Sequence, residues 1–522
     1  MKKPLFLSMI LLLSITLKAQ MDQTAQRFAS TITAEDLKSH LFKLTSAEFE
    51  GRETGTEGQR LAADYIASQM KSWNLPAIGE AGTYFQYITF TNQSWRKIEM
   101  KDADKELRHL WDYYAYPGTN PKQFDGNFED AVFLGFGIDA PEYSDYKGVD
   151  VTGKLVVVYD GEPMHQGKSW VSGSATPSEW ATDWRKKAKV AKANGAAALF
   201  IIDRKFKENV AEARKAILNS RNDMAKDEDP EANYAPNYFI TTDLAKSMFG
   251  KLVSKVTGAR DKIESKGKPR NVGFKCAVKM VAEKNYSQLK GSNVLGFIEG
   301  TDPKLKDEYV VVTAHYDHLG KRGDDMYPGA DDNASGTSTV LEICQAFVEA
   351  KKAGLGPRRS VLCMLVSGEE KGLLGSQYYA QYPIFPLEKT VVDVNVDMVG
   401  RVDDEHKDNP DYIYVIGADR LSSELHQINE HANSTYTNLT LDYKYNDEKD
   451  PNRYYYRSDH YNFAKKGIPA IFYFNGTHAD YHRTSDTPDK INFEKMTKIG
   501  HLVFYTSWEL ANRDGRIKVD KK

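Results

Sequence analysis

Apolar positions recur along this chain with two different periods, and the places where the period changes divide it into regions. Between residues 33 and 72, AEDLKSHLFKLTS and TEGQRLAADYIASQMKSW repeat apolar residues every three to four positions, which predicts two amphipathic helices joined by the turn-rich EFEGRETGTEG. A β-type run, YFQYITFTNQSW, follows. From about Gly118 to Met280 the character changes. There FEDAVFLGFGIDAPEYSDYKGVDVTGKLVVVYDGEP reads as strand, polar loop and strand, and WRKKAKVAKANGAAALFIIDR reads as a basic amphipathic helix running through Gly195 into a buried strand. The charged stretch from Lys205 to Tyr238 reads as a helix followed by a mobile loop. Beyond SNVLGFIEGTD the pattern turns regular: strand near 308–314, helix near 335–350, strand near 360–367, helix near 373–381 and strand near 390–398. That alternation predicts an α/β fold with a mostly parallel, doubly wound mixed sheet, interrupted by a small αβ insert.

The first residues follow another order: Lys2 and Lys3, an apolar run from Leu5 to Leu17, then Ala19. Charge, apolar run and small residue in that sequence read as a secretory signal peptide, the run being short for a bilayer span; the competing reading is an uncleaved N-terminal anchor. The expected product is soluble, secreted or periplasmic, with no membrane span after signal removal. The expected division is therefore a signal peptide at 1–19, the first part of the main domain at 20–118, the insert at 119–280 and the rest of the main domain at 281–522. A chain of 522 residues that is 41% hydrophobic is long enough for more than one core. Its net charge of -3 leaves no basic surplus for nucleic acid or anionic lipid. Three cysteines, Cys276, Cys344 and Cys363, with no CxxC spacing, argue against both a disulfide framework and a thiolate metal cluster.

Chemistry concentrates in the regular region. VVVTAHYDHLG places His315 and Asp317 two apart on a β-type segment, so both are expected on one strand face. PGADDNASG carries Asp332, LVSGEEKGLLGS carries Glu369 and Glu370, VVDVNVDMVG carries Asp397, and ADYHRTSDTPDK carries Tyr481 and His482. Each follows, or lies a short loop beyond, a Val/Ile/Leu-rich run, and the crevice past the carboxyl ends of parallel strands is where such groups converge. Read singly, each has a plainer account: a hydrogen-bonded HxD pair, a solvated Glu-Glu turn, or an acidic helix cap in GADDNASG. Asp397, inside an apolar run, demands a partner. His318 and His478 read as supporting or surface residues. Ser458-Asp459-His460 reads as the cap of a helix beneath the site, and no GxSxG elbow accompanies it to suggest a serine hydrolase.

In combination and in this order, the motifs resemble those of the co-catalytic dizinc exopeptidases, which include secreted bacterial aminopeptidases and glutamate carboxypeptidases. The resemblance runs from about Ala34 to the C-terminus, and the insert resembles the protease-associated (PA) domain of many members. It implies that Asp332 bridges two metal ions, that His315 and Asp397 complete one site, and that Glu370 and His482 complete the other. Glu369 is then the base, Asp317 orients His315, Tyr481 helps to hold the tetrahedral oxygen, and the Asp332–Asn333 peptide is cis. A His/carboxylate donor set without thiolate suits two Zn2+ ions, with Mn2+ or Co2+ also accommodated. The activity implied is hydrolysis of peptide bonds by a metal-bridged water activated by Glu369, in an exported exopeptidase acting on peptides as an aminopeptidase. Alternatives are a carboxypeptidase of the glutamate carboxypeptidase type, an acyl transferase of the glutaminyl cyclase type, and a non-catalytic receptor-like binding module. Arg401, Arg453, Arg457 and Arg483 lie near the motifs, where a carboxypeptidase would need arginines.

Overall fold

The computed structural model describes residues 21–218, 221–224 and 233–521. The expected signal peptide and part of the expected loop between Lys205 and Tyr238 lie outside the described residues. The chain forms two compact units, one of Met1–Ile88 with Gly291–Lys522 and the other of Thr89–Lys290.

In the first unit, Tyr309–His315 lies at the centre of the sheet, parallel to Ser360–Val366 on one side and to Thr390–Val396 on the other. Ala470–Phe474 continues the parallel set beside Thr390–Val396. Tyr412–Ile416 then joins antiparallel to Ala470–Phe474, and Thr440–Asp442 lies parallel to it at the edge. On the other side, residues 294–298 pair antiparallel with 361–365. The central strands are buried on both faces, as their unbroken apolar runs require. Alternation along one strand sorts the two cores: Val310, Val312 and Ala314 join the larger cluster with helices Ala34–Leu44, Gly336–Lys352 and Phe493–Asn512, whereas Val311 packs with Tyr379 and Phe463 of the opposite layer. Helices therefore cover both faces of a mixed, mostly parallel sheet. Burying one side chain such as Val312 in this way contributes about 1.5–3 kcal/mol.

The second unit has its own parallel strands, Gln123–Phe133, Leu155–Tyr159, Ala198–Asp203 and Asn237–Thr241, paired in that order. Two apolar clusters lie on its two faces, one including Val157 and Phe200 and the other Val156 and Ile201. Its limits differ from the expected 119 and 280. Tyr113–Tyr114 adds an edge strand to Asn237–Thr241, Phe90–Gln93 pairs with Arg221–Met224, and the antiparallel partner of Gln123–Phe133 continues to Glu283. These backbone bonds draw residues 89–118 and 281–290 into the second unit, and side-chain composition carries no trace of them.

Candidate metal centre

All the candidate residues sit at the carboxyl end of the first unit's parallel strands. His315 ends Tyr309–His315, Glu369 and Glu370 follow Ser360–Val366, Asp397 follows Thr390–Val396, and Tyr481 and His482 lie in the segment after Ala470–Phe474. Asp332 comes from the irregular turn Ala330–Ser335 that feeds helix Gly336–Lys352. That turn is built from the backbone outward. Gly329 has φ +54°, and a Cβ there would stand 2.2 Å from the Asp332 carbonyl oxygen and 2.5 Å from the His318 ring, so only glycine fits. The Asp332–Asn333 peptide is cis. The Asn333 amide accepts from Gly336 N (2.8 Å) and Met398 N (3.1 Å) and donates to Val396 O (3.0 Å), while the Asp486 carboxylate accepts from the backbone N–H groups of Asp331 and Asp332.

Asp332 faces two groups of donors at once. Its Oδ1 lies 3.3 Å from His315 Nε2, which is also 3.3 Å from Asp397 Oδ1. Its Oδ2 lies 3.0 Å from His482 Nε2 and 3.8 Å from His318 Nδ1. Glu370 closes the second group, with Oε2 3.5 Å from His482 Nε2 and Oε1 2.8 Å from His318 Nδ1. His315, Asp332 and Asp397 thus form one set with ligand geometry, and His318, Asp332 and Glu370 form another, beside which His482 stands. Neither Glu370 Oε1 nor the nitrogens of the fully buried His318 make a hydrogen bond of acceptable geometry. Buried donors left open at such close range fit a divalent cation, because a buried polar group without a partner is otherwise costly.

The charges in this cluster act on one another. Burial pushes the Glu369 carboxyl well above the ordinary carboxylate range; His315 opposes that shift, while Glu370 and Asp397 add to it. Burial also works against charge on Asp332, yet His315, His482 and His318 hold it well below the usual range. His315 is held protonated well above its ordinary value, against its own burial, by Asp397 and Glu369.

The supporting contacts correct two expectations. The central strand ends at His315, so Asp317 is not on a shared strand face but in the loop beyond it. The His315 Nδ1 lies 3.1 Å from the Asp317 backbone oxygen and 3.9 Å from its carboxylate, so the main chain orients the imidazole. The Asp317 carboxylate instead accepts from Thr54 Oγ1 (2.6 Å) and from Glu369 N (3.2 Å). Asp459 forms no side-chain cap on helix His460–Ala464. It accepts from Ser376 Oγ, and Ser458 Oγ donates to Asp397 Oδ2 at 2.7 Å. His318, read from sequence as supporting or surface, is fully buried and faces Glu370. The signal for it was a second histidine three residues after His315 in HYDH.

These groups open onto a cleft lined by His315, Asp332, Glu369, Asp397, Tyr481 and His482. Its remaining wall is formed by Met398, Tyr454, Phe472 and Phe474, with Arg457 and Thr477 beside them. The Tyr481 ring stacks on His482 with centroids 3.9 Å apart.

Residues 293–507, which contain every one of the candidate residues, match the profile of Peptidase family M28. This segment is similar to that family. Among curated proteins, the chain is 32% identical over 239 residues to the probable leucine aminopeptidase of Arthroderma otae, covering 44% of this chain and 60% of that protein. Aminopeptidase YwaD of Bacillus subtilis is 26% identical over 248 residues, covering 46% of this chain and 49% of that protein. The chain therefore spans roughly half to three fifths of the length of these relatives. Among solved structures, the aminopeptidase from Aneurinibacillus sp. strain AM-1 shares the fold with a TM-score of 0.50 at 18% identity, covering 95% of this chain and 98% of that one.

Proposed function

We propose that the protein is an exported, metal-dependent aminopeptidase. The observation that carries the reading is Asp332, whose two carboxylate oxygens face two separate donor groups while Glu369 stands free of both. Two zinc ions would be held there, one by His315, Asp332 and Asp397, the other by Asp332, Glu370 and His482 with His318 facing the same position. Bound, such ions lower the pKa of water and polarise a peptide carbonyl. Glu369 then takes the proton of the attacking water and passes it to the leaving nitrogen, a role suited to a carboxyl whose surroundings favour its protonated form. Tyr481, lining the same cleft, directs its hydroxyl to the carbonyl oxygen as charge develops.

The choice of peptide end follows from the arginines. A carboxypeptidase needs cations gathered around the substrate carboxylate, but of the four candidate arginines only Arg457 is among the cleft-lining residues described above. Arg401 is bound to Asp480 at 2.9 Å, and Arg453 lies over the Tyr456 ring. The wall of Met398, Tyr454, Phe472 and Phe474 is better suited to the side chain of an uncharged N-terminal residue. The two relatives, a probable leucine aminopeptidase and an aminopeptidase, support this reading. Export rests on the N-terminal residue pattern; among the described residues no helix is long and apolar enough to cross a membrane. The second unit, on the same reading, is a PA-type insert.

The test is to strip metal with a chelator, restore zinc, and assay peptides with free and acetylated N-termini. Loss and recovery of hydrolysis confined to free-amino peptides is expected. Hydrolysis by metal-free protein, or equal cleavage of blocked peptides, would contradict the proposal.

A further inference from the structure

The turn between the first two long helices is built into the metal centre. Glu50, Gly51 and Arg52 all have left-handed backbone conformations, with φ of +51°, +69° and +53°. For the two non-glycine residues this is a strained state that persists only where surrounding contacts over-determine it. The contacts are present. A Cβ on Gly51 would stand 2.4 Å from Tyr327 O and 2.7 Å from Gly320 O, so the turn is pressed against the loop that follows the central strand.

Arg52 is fully buried, and its guanidinium meets backbone carbonyls rather than a carboxylate. Nε donates to Tyr316 O (2.8 Å), Nη1 to Leu44 O (2.6 Å) and Pro328 O (2.8 Å), and Nη2 to Gly329 O (2.9 Å). Tyr316 directly follows His315, and Gly329 lies three residues before Asp332, so one planar group joins the two loops that carry those ligands. The Arg52 carbonyl in turn accepts from His318 N at 3.1 Å. Two residues on, Thr54 donates to Asp317 Oδ2, and the other oxygen of that buried carboxylate holds the backbone N–H of Glu369. Between them Glu53 binds Lys371 at 2.8 Å, immediately after Glu370. Three consecutive residues therefore reach the loops of His315, Asp332 and the Glu369–Glu370 pair. All three lie outside the segment that matches the peptidase family.

We propose that Arg52 and Thr54 are positioning residues of the metal centre, which hold its ligand loops at the separation that metal binding and proton transfer by Glu369 require. The inference rests on the metal-centre reading above. It predicts an effect on metal affinity and turnover at a distance from substrate: the hydroxyl of Thr54 orders Asp317, whose main-chain oxygen faces the His315 ring and whose carboxylate holds the Glu369 N–H in the loop that also carries Glu370, and no atom of Thr54 needs to touch a ligand or a peptide.

The test compares full-length Thr54→Val, Thr54→Ser and Arg52→Gln with the parent protein. Zinc retention is read by chelator competition, the site geometry by the visible absorption of the Co2+ form, and turnover as separate kcat and KM. Removing a group that orients a metal ligand lowers affinity or activity about 10–100-fold. Thr54→Val, which keeps the shape and loses the hydroxyl, is expected to release zinc at about 10-fold lower chelator, with an altered Co2+ spectrum and a fall in kcat at nearly constant KM. Thr54→Ser should recover all three. Arg52→Gln should lose more, and because it can fail to fold, the Thr54 pair decides. A folded Thr54→Val with parental zinc retention, spectrum and kcat overturns the inference, as does a Thr54→Ser as impaired as Thr54→Val, which would reveal packing alone. A parent protein that binds no zinc overturns the metal-centre reading itself.

Discussion

Three buried charges of the second unit and the open donors of the metal centre are treated in opposite ways. In the second unit Asp145, Lys187 and Asp203 are each closed by neighbours. Asp145 accepts from Phe136 N, Ile138 N and the Tyr143 hydroxyl, Lys187 donates to the carbonyls of Phe136 and Gly161, and Asp203 accepts from Tyr114, Asn209 and Lys205. In the first unit, His318 and Glu370 are as deeply placed, yet their facing atoms lack good hydrogen bonds, and Asp332 is shared between two histidine-bearing groups. Burial of charge alone marks structure; burial of charge left open marks chemistry.

The comparison breaks first at Glu369. Glu369→Gln should keep its metal and lower kcat by about 10²–10⁴-fold, since an amide preserves shape but accepts no proton. Parental turnover in this variant would remove Glu369 from the mechanism. His318 sharpens the account of the second donor group. His318→Ala should weaken zinc by about 10–100-fold in chelator competition, with excess zinc restoring activity; unchanged zinc retention would make His482 sufficient there.

The smallest effect belongs to the second unit and concerns pH. Burial raises the Asp145 carboxyl from 3.8 to about 6, against its three hydrogen bonds. A raised pKa in the folded state means that this contribution to stability is complete below 3.8 and is lost as pH rises through about 6. The loss amounts to roughly 3 kcal/mol. Denaturant unfolding followed in the second unit should show that loss across this window, and Asp145→Asn should flatten it without changing zinc binding. An identical pH slope in the variant would contradict the assignment.

Much of this was legible in the chain because it is local. Valine-rich runs ending at His315, Val366 and Val396 carry both the strand and its exit point, so the convergence of His315, Glu370 and Asp397 follows from a parallel sheet. What escaped depends on contacts between distant residues. EFEGRETGTEG looks like a polar linker, and nothing local reveals that Arg52 donates to carbonyls more than 260 residues away. Asp317 was read as the partner of His315 through its carboxylate, but the strand ends two residues before Asp317, which presents a main-chain oxygen instead. The insert boundary moved because strand pairing, not composition, decides which unit residues 89–118 join.

On the proposed reading, Asp332 is shared between two metal positions. Zinc titrated into metal-stripped protein, with bound zinc per chain and hydrolysis of a free-amino peptide measured in parallel, tests it most directly. Saturation at two zinc ions per chain is expected, with activity rising as they bind and Asp332→Asn failing at both positions. Saturation at a single ion with full activity, or two tightly held ions in Asp332→Asn, would contradict it.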